Sequence, residues 1–458
     1  MATETFIPVQ LRPASAAAQP TYAGPAKGTV AIETHGCKLN QADSALLARQ
    51  FAHAGYHLVD LKRDADIIVV NTCTVTATAD SKARQALRAA RRANPDAVVV
   101  AAGCYPQRAA DALRRMPQVT LVVGNREKPE LADLAIAEHI RLRGGPRRST
   151  AMPQAEIVPG ILRRSRVMVK IQEGCDQVCA YCIVPKVRGR ERSIPPDELV
   201  AAVRRHVANG FQEVALTGTQ LGTYGFDLEE VDLPLLLGRL LAETDVPRLR
   251  VSSLQAHEIT PDLMERWEDP RLCPHFHMPL QSGSDATLTA MRRRYDTDTY
   301  RKAVNTIRNT VVGSSITTDV IVGFPGENRA DHDASLSLVE EVSFSDCHVF
   351  PYSQRPGTTA HYLPGQVDPR EKRRRAAEMA EAAEKGFLAY RKGIVGQTRR
   401  VLWETSRPTD EGLLAWSGLT DNYVRVSTQT DDDLANRITP ARLAGLEGKV
   451  MRAERLPA

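Results

Sequence analysis

Six of the eight cysteines in this 458-residue chain fall in places where thiols could share a metal centre. Cys175, Cys179 and Cys182 lie in the stretch EGCDQVCAYCIVP (173–185), spaced CxxxCxxC. A structural zinc takes four ligands, so this trio would need a fourth from elsewhere, such as His206 or Cys273. Iron–sulfur clusters are also held by cysteine thiolates, ordinarily one per iron. Three thiolates on a four-iron cluster leave one iron open to a substrate or cofactor, as the open position does in catalytic zinc sites.

The other three cysteines are far apart in sequence, and only an element reading can join them. TVAIETHG (29–36), DIIVVNTC (66–73), AVVVAAGC (97–104) and VTLVVG (119–124) read as strands, separated by helical stretches 40–55, 79–94 and 107–116. That alternation predicts a doubly wound parallel sheet. Cys37, Cys73 and Cys104 then stand at or just past the carboxyl ends of three strands, where open α/β sheets bind ligands. From Arg166 the alternation resumes with six strand candidates: 166–171, 213–218, 248–254, 276–281, 316–324 and 346–353. Six βα units predict a partial, open barrel rather than the closed eightfold one, with its chemistry at the carboxyl ends of the strands. Cys175, Gly218 and Gln281 sit there. A long Ala/Glu/Arg-rich helix (368–393) follows, and short alternating strands then predict a small β-barrel.

The expected organisation is a flexible leader at 1–27, an N-terminal domain at 28–140, a basic linker at 141–160, a central domain at 161–392 and a terminal domain at 393–458. The leader is rich in Ala and Pro without an apolar core, unlike a secretory signal. Clustered cysteines without an export signal read as reduced thiols for metal or catalysis, not as a disulfide framework. No window approaches twenty uninterrupted apolar residues, so no membrane is expected, and a cytoplasmic location is. The net charge of +5 is too modest for a protein that coats DNA, but it suits an RNA partner. Lys82, Arg84, Arg88, Arg91 and Arg92 on one helix, RRR at 292–294 and KRRR at 372–375 are candidate phosphate contacts. Each run alone also reads as an ordinary solvated face. Trp403, Trp416 and Tyr423 are candidates to stack bases, though core packing is the commoner fate of a tryptophan.

The trio CDQVCAYC, with an aromatic before its last cysteine, resembles the signature of the radical S-adenosylmethionine (SAM) enzymes. With THGCKLNQ, NTCTVTATAD, AAGCYPQ and the terminal small barrel, the chain resembles the methylthiotransferases of that superfamily over nearly its whole length. The resemblance implies two [4Fe-4S] clusters, one on Cys175, Cys179 and Cys182, the other on Cys37, Cys73 and Cys104, each with one open iron. The first would bind SAM and split it to a radical, and the second would hold or donate sulfur. It also implies a TRAM-like RNA-binding terminal barrel, tRNA as partner and a low-potential electron donor. Tyr181 would lie near the SAM adenine, and Thr217, Gly218 and Gln220 near its amino-acid part. Gln281, Ser282, Ser284, Asp319 and Tyr352 would be lip residues; Arg188 and Arg190 are candidates to meet phosphate or the SAM carboxylate, with a solvated basic turn as the equal alternative. Cys273 and Cys347 match neither set and are expected to be structural. GCKLNQ, NTCTVT, LTGTQLGTYG, TTDVIVGFPGE and HVFPYSQRPGT resemble the branch that acts on threonylcarbamoyladenosine in tRNA, at C2 of the adenine. Isopentenyladenosine in tRNA and a ribosomal-protein aspartate are the alternative substrates, and a non-catalytic zinc protein that binds RNA is the distant alternative.

Overall fold

The computed structural model describes residues 27–60, 62–144 and 165–456. The expected leader, except Lys27, and the expected linker beyond residue 144 lie outside the described residues. Strands without interior charge need cover on both faces. The first sheet has it. Its strands are β1 (Gly28–Thr34), β2 (Tyr56–Leu58), β3 (Ile67–Thr72), β4 (Val98–Gly103) and β5 (Leu121–Val123), all parallel in the order β2-β1-β3-β4-β5. Helices α1 (Lys38–His53) and α4 (Leu131–Arg143) cover one face through Leu47, Phe51 and Leu131. Helices α2 (Ala77–Ala93) and α3 (Cys104–Arg114) cover the other through Leu87 and Leu113. The edge strand β2, absent from the sequence reading, is three residues long, too short for any periodicity to show.

The middle of the chain supplies β6 (Arg166–Lys170), the two-residue ribbon β7 (Gln172–Glu173) and β8 (Arg192–Ser193), then β9 (Glu213–Thr217), β10 (Leu249–Val251), β11 (His275–His277), β12 (Ser315–Val322) and β13 (Asp346–Pro351). Two parallel sheets, β10-β9-β6 and β11-β12-β13, are joined by the bridges Leu249–Leu272 and Ser253–His277. The result is an open half-barrel whose free edges are β6 and β13. Helices α5 (Val184–Arg188), α6 (Pro196–Ala208), α7 (Leu233–Glu243), α8 (Pro261–Glu265), α9 (Asp285–Ala290), α10 (Thr297–Thr310) and α11 (Arg329–Val342) connect the strands. Helix α12 (Pro369–Gly393) then packs on β13 and α11. Helix α1 of the first sheet also packs against β6, on the open side.

The last segment is a closed barrel, β14 (Thr398–Pro408), β15 (Leu414–Thr420), β16 (Arg425–Thr430), β17 (Ile438–Glu447) and β18 (Val450–Arg455), in the order β14-β15-β16-β18-β17. Its core corrects the base-stacking expectation. Trp403 and Trp416 are buried there, with their indole N–H groups donating to Thr439 Oγ1 (2.9 Å) and the Asp432 carbonyl (3.1 Å). Tyr423 leaves the barrel altogether and stacks on His275 of the half-barrel at 4.2 Å. A small barrel needs its large aromatics as core or as anchors, which leaves none of the three free for RNA.

Candidate active site

The loop that carries Cys175, Cys179 and Cys182 leaves β7 through Gly174, whose φ of +82° suits glycine. A Cβ there would lie 1.9 Å from the Arg190 carbonyl oxygen, so no side chain fits. The loop is pinned from outside: Ala180 N–H donates to the Met291 carbonyl (2.9 Å), and Ala360 N–H donates to the Ala180 carbonyl (2.7 Å). Burial pushes the Cys175 thiol up to about 11 and the Cys182 thiol up to about 12. Such thiols stay neutral until a metal takes the proton's place. Among the described residues, no three His, Cys, Asp or Glu side chains are gathered as one metal ion would need. Neither suggested fourth zinc ligand joins the trio. His206 packs edge-on against Phe211 at 5.5 Å, and Cys273 is buried beside Arg250 and Arg248. Thiolates on separate irons of a cluster need no such convergence on one point.

Beside the trio lies a buried polar network that sequence reasoning missed. Arg293 Nη1 is 3.4 Å from Cys179 Sγ and 3.5 Å from the Tyr181 hydroxyl, while its Nη2 donates to Gln255 Oε1 at 2.7 Å. Gln255 Nε2 donates to Gln220 Oε1 (2.7 Å) and Gln177 Oε1 (3.0 Å). Gln220 Nε2 in turn donates to Glu258 Oε1. Burial is the main reason the Glu258 carboxyl is pushed up to about 7. Gln172 Oε1 accepts from the backbone N–H groups of Thr219 (2.9 Å) and Gln220 (3.1 Å), which shapes the turn after Thr217 and Gly218. A Cβ on Gly218 would come within 2.9 Å of Leu221, so the close approach requires glycine. Thr217, Gly218, Gln220 and Tyr181 are thus brought together around the trio.

The other lip candidates are more scattered. Gln281, at φ +66°, ties its backbone to Asp319 and Ile321 on β12. The hydroxyls of Ser282 and Ser284 turn to Ser335 and Asp331 of α11. Asp319 pairs with His277 Nε2 (3.3 Å) and His348 Nδ1 (3.1 Å) on neighbouring strands. Tyr352 packs on Phe324 near Ala180 and Tyr181, with its buried hydroxyl lacking a partner among the described residues.

Cys37, Cys73 and Cys104 follow β1, β3 and β4, which are adjacent strands in register. Gly36 lets the first turn approach so closely that a Cβ on it would lie 2.6 Å from the Cys73 Cβ. Cys37 is the N-cap of α1 and Cys104 the first residue of α3, so two of the three thiols stand at helix N-termini. Burial pushes Cys73 up to about 12. Guanidinium groups from the half-barrel reach this edge. Arg188 binds Asn40 Oδ1 (2.5 Å), Asp43 Oδ2 (3.2 Å) and Glu173 Oε1 (2.6 Å). Arg355 binds Asp80 Oδ2 (2.6 Å) and Thr74 Oγ1 (3.0 Å), next to Cys73. Arg190, by contrast, is exposed beside Asp176. Cys104 packs directly with Ile183 and Val187. Ile183 directly follows Cys182, so this apolar contact joins Cys104 of the second trio to the loop that carries the first.

Comparison with known proteins bears on what these trios do. The profile of the radical SAM superfamily matches residues 169–339, and that of an uncharacterised protein family, UPF0004, matches residues 29–124. The chain is 34% identical to a threonylcarbamoyladenosine tRNA methylthiotransferase, MtaB, of Bacillus subtilis, over 91% of this chain and 93% of the relative. It is 36% identical to the MtaB of Thermotoga maritima (87% and 90% covered) and 34% identical to a tRNA-2-methylthio-N(6)-dimethylallyladenosine synthase of Moorella thermoacetica (94% and 98% covered). The fold is also that of the radical SAM methyltransferase TsrM of Kitasatospora setae, with a TM-score of 0.54 at 15% identity over 73% of this chain and 77% of that one. Enzymes of the radical SAM superfamily work with a [4Fe-4S] cluster and SAM, and the first trio and its buried polar network offer thiols and polar groups that suit both. With relatives of both substrate types matching nearly end to end, the chain belongs to the radical SAM tRNA methylthiotransferases.

Proposed function

We propose that this enzyme methylthiolates C2 of N6-threonylcarbamoyladenosine next to the tRNA anticodon, giving 2-methylthio-N6-threonylcarbamoyladenosine. The observation that carries the reading is the direct packing of Cys104 of one trio against Ile183 and Val187, just beyond the other. Two centres that close suit a reaction in which one activates a carbon and the other delivers sulfur to it. Cys175, Cys179 and Cys182 would hold one [4Fe-4S] cluster, and Cys37, Cys73 and Cys104 a second. With clusters and SAM bound, the chemistry supplied is removal of the unactivated C2 hydrogen and delivery of a methylated sulfur to that carbon. The protein binds, orients and excludes water. Gln220, Gln255, Glu258 and Arg293 form a preformed polar cradle for the amino-acid part of SAM, held by Gln172. Tyr181 flanks the adenine, and Gln281, Ser282, Asp319 and Tyr352 frame the lip.

Residues 28–140 would serve as the sulfur-holding domain, 161–392 as the radical domain and 393–458 as an RNA-binding domain. An electron donor of low potential and a cytoplasmic location complete the proposal. Among the described residues, no helix is long and apolar enough to cross a membrane. Nucleoside mass spectrometry on total tRNA, from cells with and without the gene, tests it. Loss of the methylthio form and accumulation of plain threonylcarbamoyladenosine, reversed by restoring the gene, is the expected result. Loss of methylthio-isopentenyladenosine instead would move the chain to the other substrate branch.

A further inference from the structure

The open side of the half-barrel carries a charge arrangement that neither cysteine trio requires. Lys38, one residue past Cys37, points from α1 toward β10, and its ammonium has one hydrogen-bond partner among the described residues, Ser252 Oγ at 3.5 Å. The ammonium also stands 5.7 Å from the centre of the Tyr423 ring. The nearby carboxylate of Glu213 is already held by Arg248 and Arg250 at 2.8 Å each. Across the opening, on the free edge β13, His348 is 59% exposed. Its Nδ1 is bonded to Asp319, and its Nε2 has no partner among the described residues. The hydrogen bond to Asp319 raises the pKa of His348, which favours the imidazolium. Asp346 adds to that, Lys38 opposes it, and His277 shares Asp319 from the other side. Phe350, two residues along β13, is exposed and stands 6.4 Å from the His348 ring, offering an apolar wall.

We propose that Lys38, Ser252 and His348 form a carboxylate subsite that selects an adenosine whose N6 substituent ends in a free carboxylate. The inference rests on the threonylcarbamoyladenosine reading above and gives that substrate its recognition residues. N6 and C2 flank N1 on one edge of adenine, so a base presented to both trios projects its N6 substituent only a short way. Lys38 is attached to the second trio through Cys37 and faces the lumen, which is where that substituent would reach. An isopentenyl group would leave the Lys38 ammonium desolvated without a counter-charge, which costs affinity. Discrimination by an unpaired buried polar group is the stronger kind of specificity.

The test uses the anaerobically reconstituted holoenzyme and three RNA stem-loops, carrying threonylcarbamoyladenosine, its methyl ester, or isopentenyladenosine. The protein should bind the acid roughly tenfold more tightly than the ester, as expected for a charge-assisted hydrogen bond. Lys38→Met and His348→Gln should bind acid and ester alike, at the affinity of the ester, and Lys38→Arg should restore the preference. His348 is exposed, so His348→Gln reports even where Lys38→Met perturbs the neighbouring Cys37. Equal binding of acid and ester by the unsubstituted protein, with threonylcarbamoyladenosine still converted, overturns the subsite and leaves the proposed function standing. A preference that survives in His348→Gln also overturns it. Conversion of the isopentenyl stem-loop alone removes the proposed function and the subsite with it.

Discussion

At the scale of single residues, Glu258 and Arg293 set the charge of the buried network beside the first cysteine trio. Glu258 is a carboxyl buried among amides, with Arg293 too far off to pair with it directly. Its folded pKa of about 7 lies above the unfolded value near 4.5, so the folded state prefers it protonated. The stability this contributes is fully present below pH about 4.5 and is lost as pH rises through about 7. In the SAM-free protein, the melting temperature should therefore fall between pH 5 and 8 relative to Glu258→Gln. The difference corresponds to about 3 kcal/mol at most. A pH-independent gap between the two proteins would show that Glu258 is ionised throughout and paired with a charge. Arg293 illustrates a limit of reading charge runs. Arg292–Arg294 reads as a phosphate footprint, yet its central member turns inward to Cys179 and Gln255. On α2, Arg91 and Arg84 are likewise spent on the fold, bonding Thr120 Oγ1 and the Tyr105 hydroxyl. Lys82, Arg88 and Arg92 remain exposed. A guanidinium on a helix or turn looks the same in sequence whether it meets water, phosphate or a buried acceptor.

At the scale of elements, most of what positions the trios was legible. The strands before Cys73 and Cys104 are buried on both faces and β6, before Cys175, alternates cleanly, while strand–helix alternation points to a parallel sheet. What was not legible depends on contacts between elements distant in the chain. Gln172, Gln177, Gln220 and Gln255 share no local spacing, and only the half-barrel brings their amides together. The same holds for Asp43 on α1, which accepts from Lys128 (2.8 Å), Lys170 (3.0 Å) and Arg188 (3.2 Å). Burial would raise its pKa, but the three cations more than offset this and hold it well below the usual carboxylate range. This carboxylate fixes α1, and hence Cys37 and Lys38, against β6. Asp43→Asn keeps the shape and removes the charge, leaving three cations around an amide. It should cost about 3–5 kcal/mol and raise hydrogen exchange along α1 before that of the terminal barrel. Unchanged protection in α1 would mean that apolar packing alone holds the two sheets together.

At the scale of the whole molecule, the terminal barrel is anchored by a buried ion network at the floor of the half-barrel. Arg248 donates to the carbonyls of Leu419 (3.1 Å) and Thr420 (2.9 Å), and Arg250 to that of Asp421 (3.1 Å). Both guanidinium groups also hold Glu213, and Tyr423 inserts between His275 and Arg250. His275 is held neutral by its burial and the cations around it, so this stack places no further charge in the floor. A barrel tied down this way holds a fixed place relative to the trios, instead of swinging on a tether. Burial alone would raise the Glu213 pKa, yet Arg250 and Arg248 pull it down to about 2. A depressed carboxylate contributes stability above its unfolded pKa near 4.5 and loses it as pH falls toward 2. Glu213→Gln should therefore lose about 3–5 kcal/mol at neutral pH, because two buried guanidinium groups are left without their counter-charge. The variant should also lack this contribution to acid unfolding between pH 4.5 and 2. Trp403 and Trp416 sit in the barrel core, so their fluorescence reports that part of the molecule directly. If their transition stays at the pH of the unsubstituted protein, the barrel docks through Tyr423 and the carbonyl contacts without help from the carboxylate.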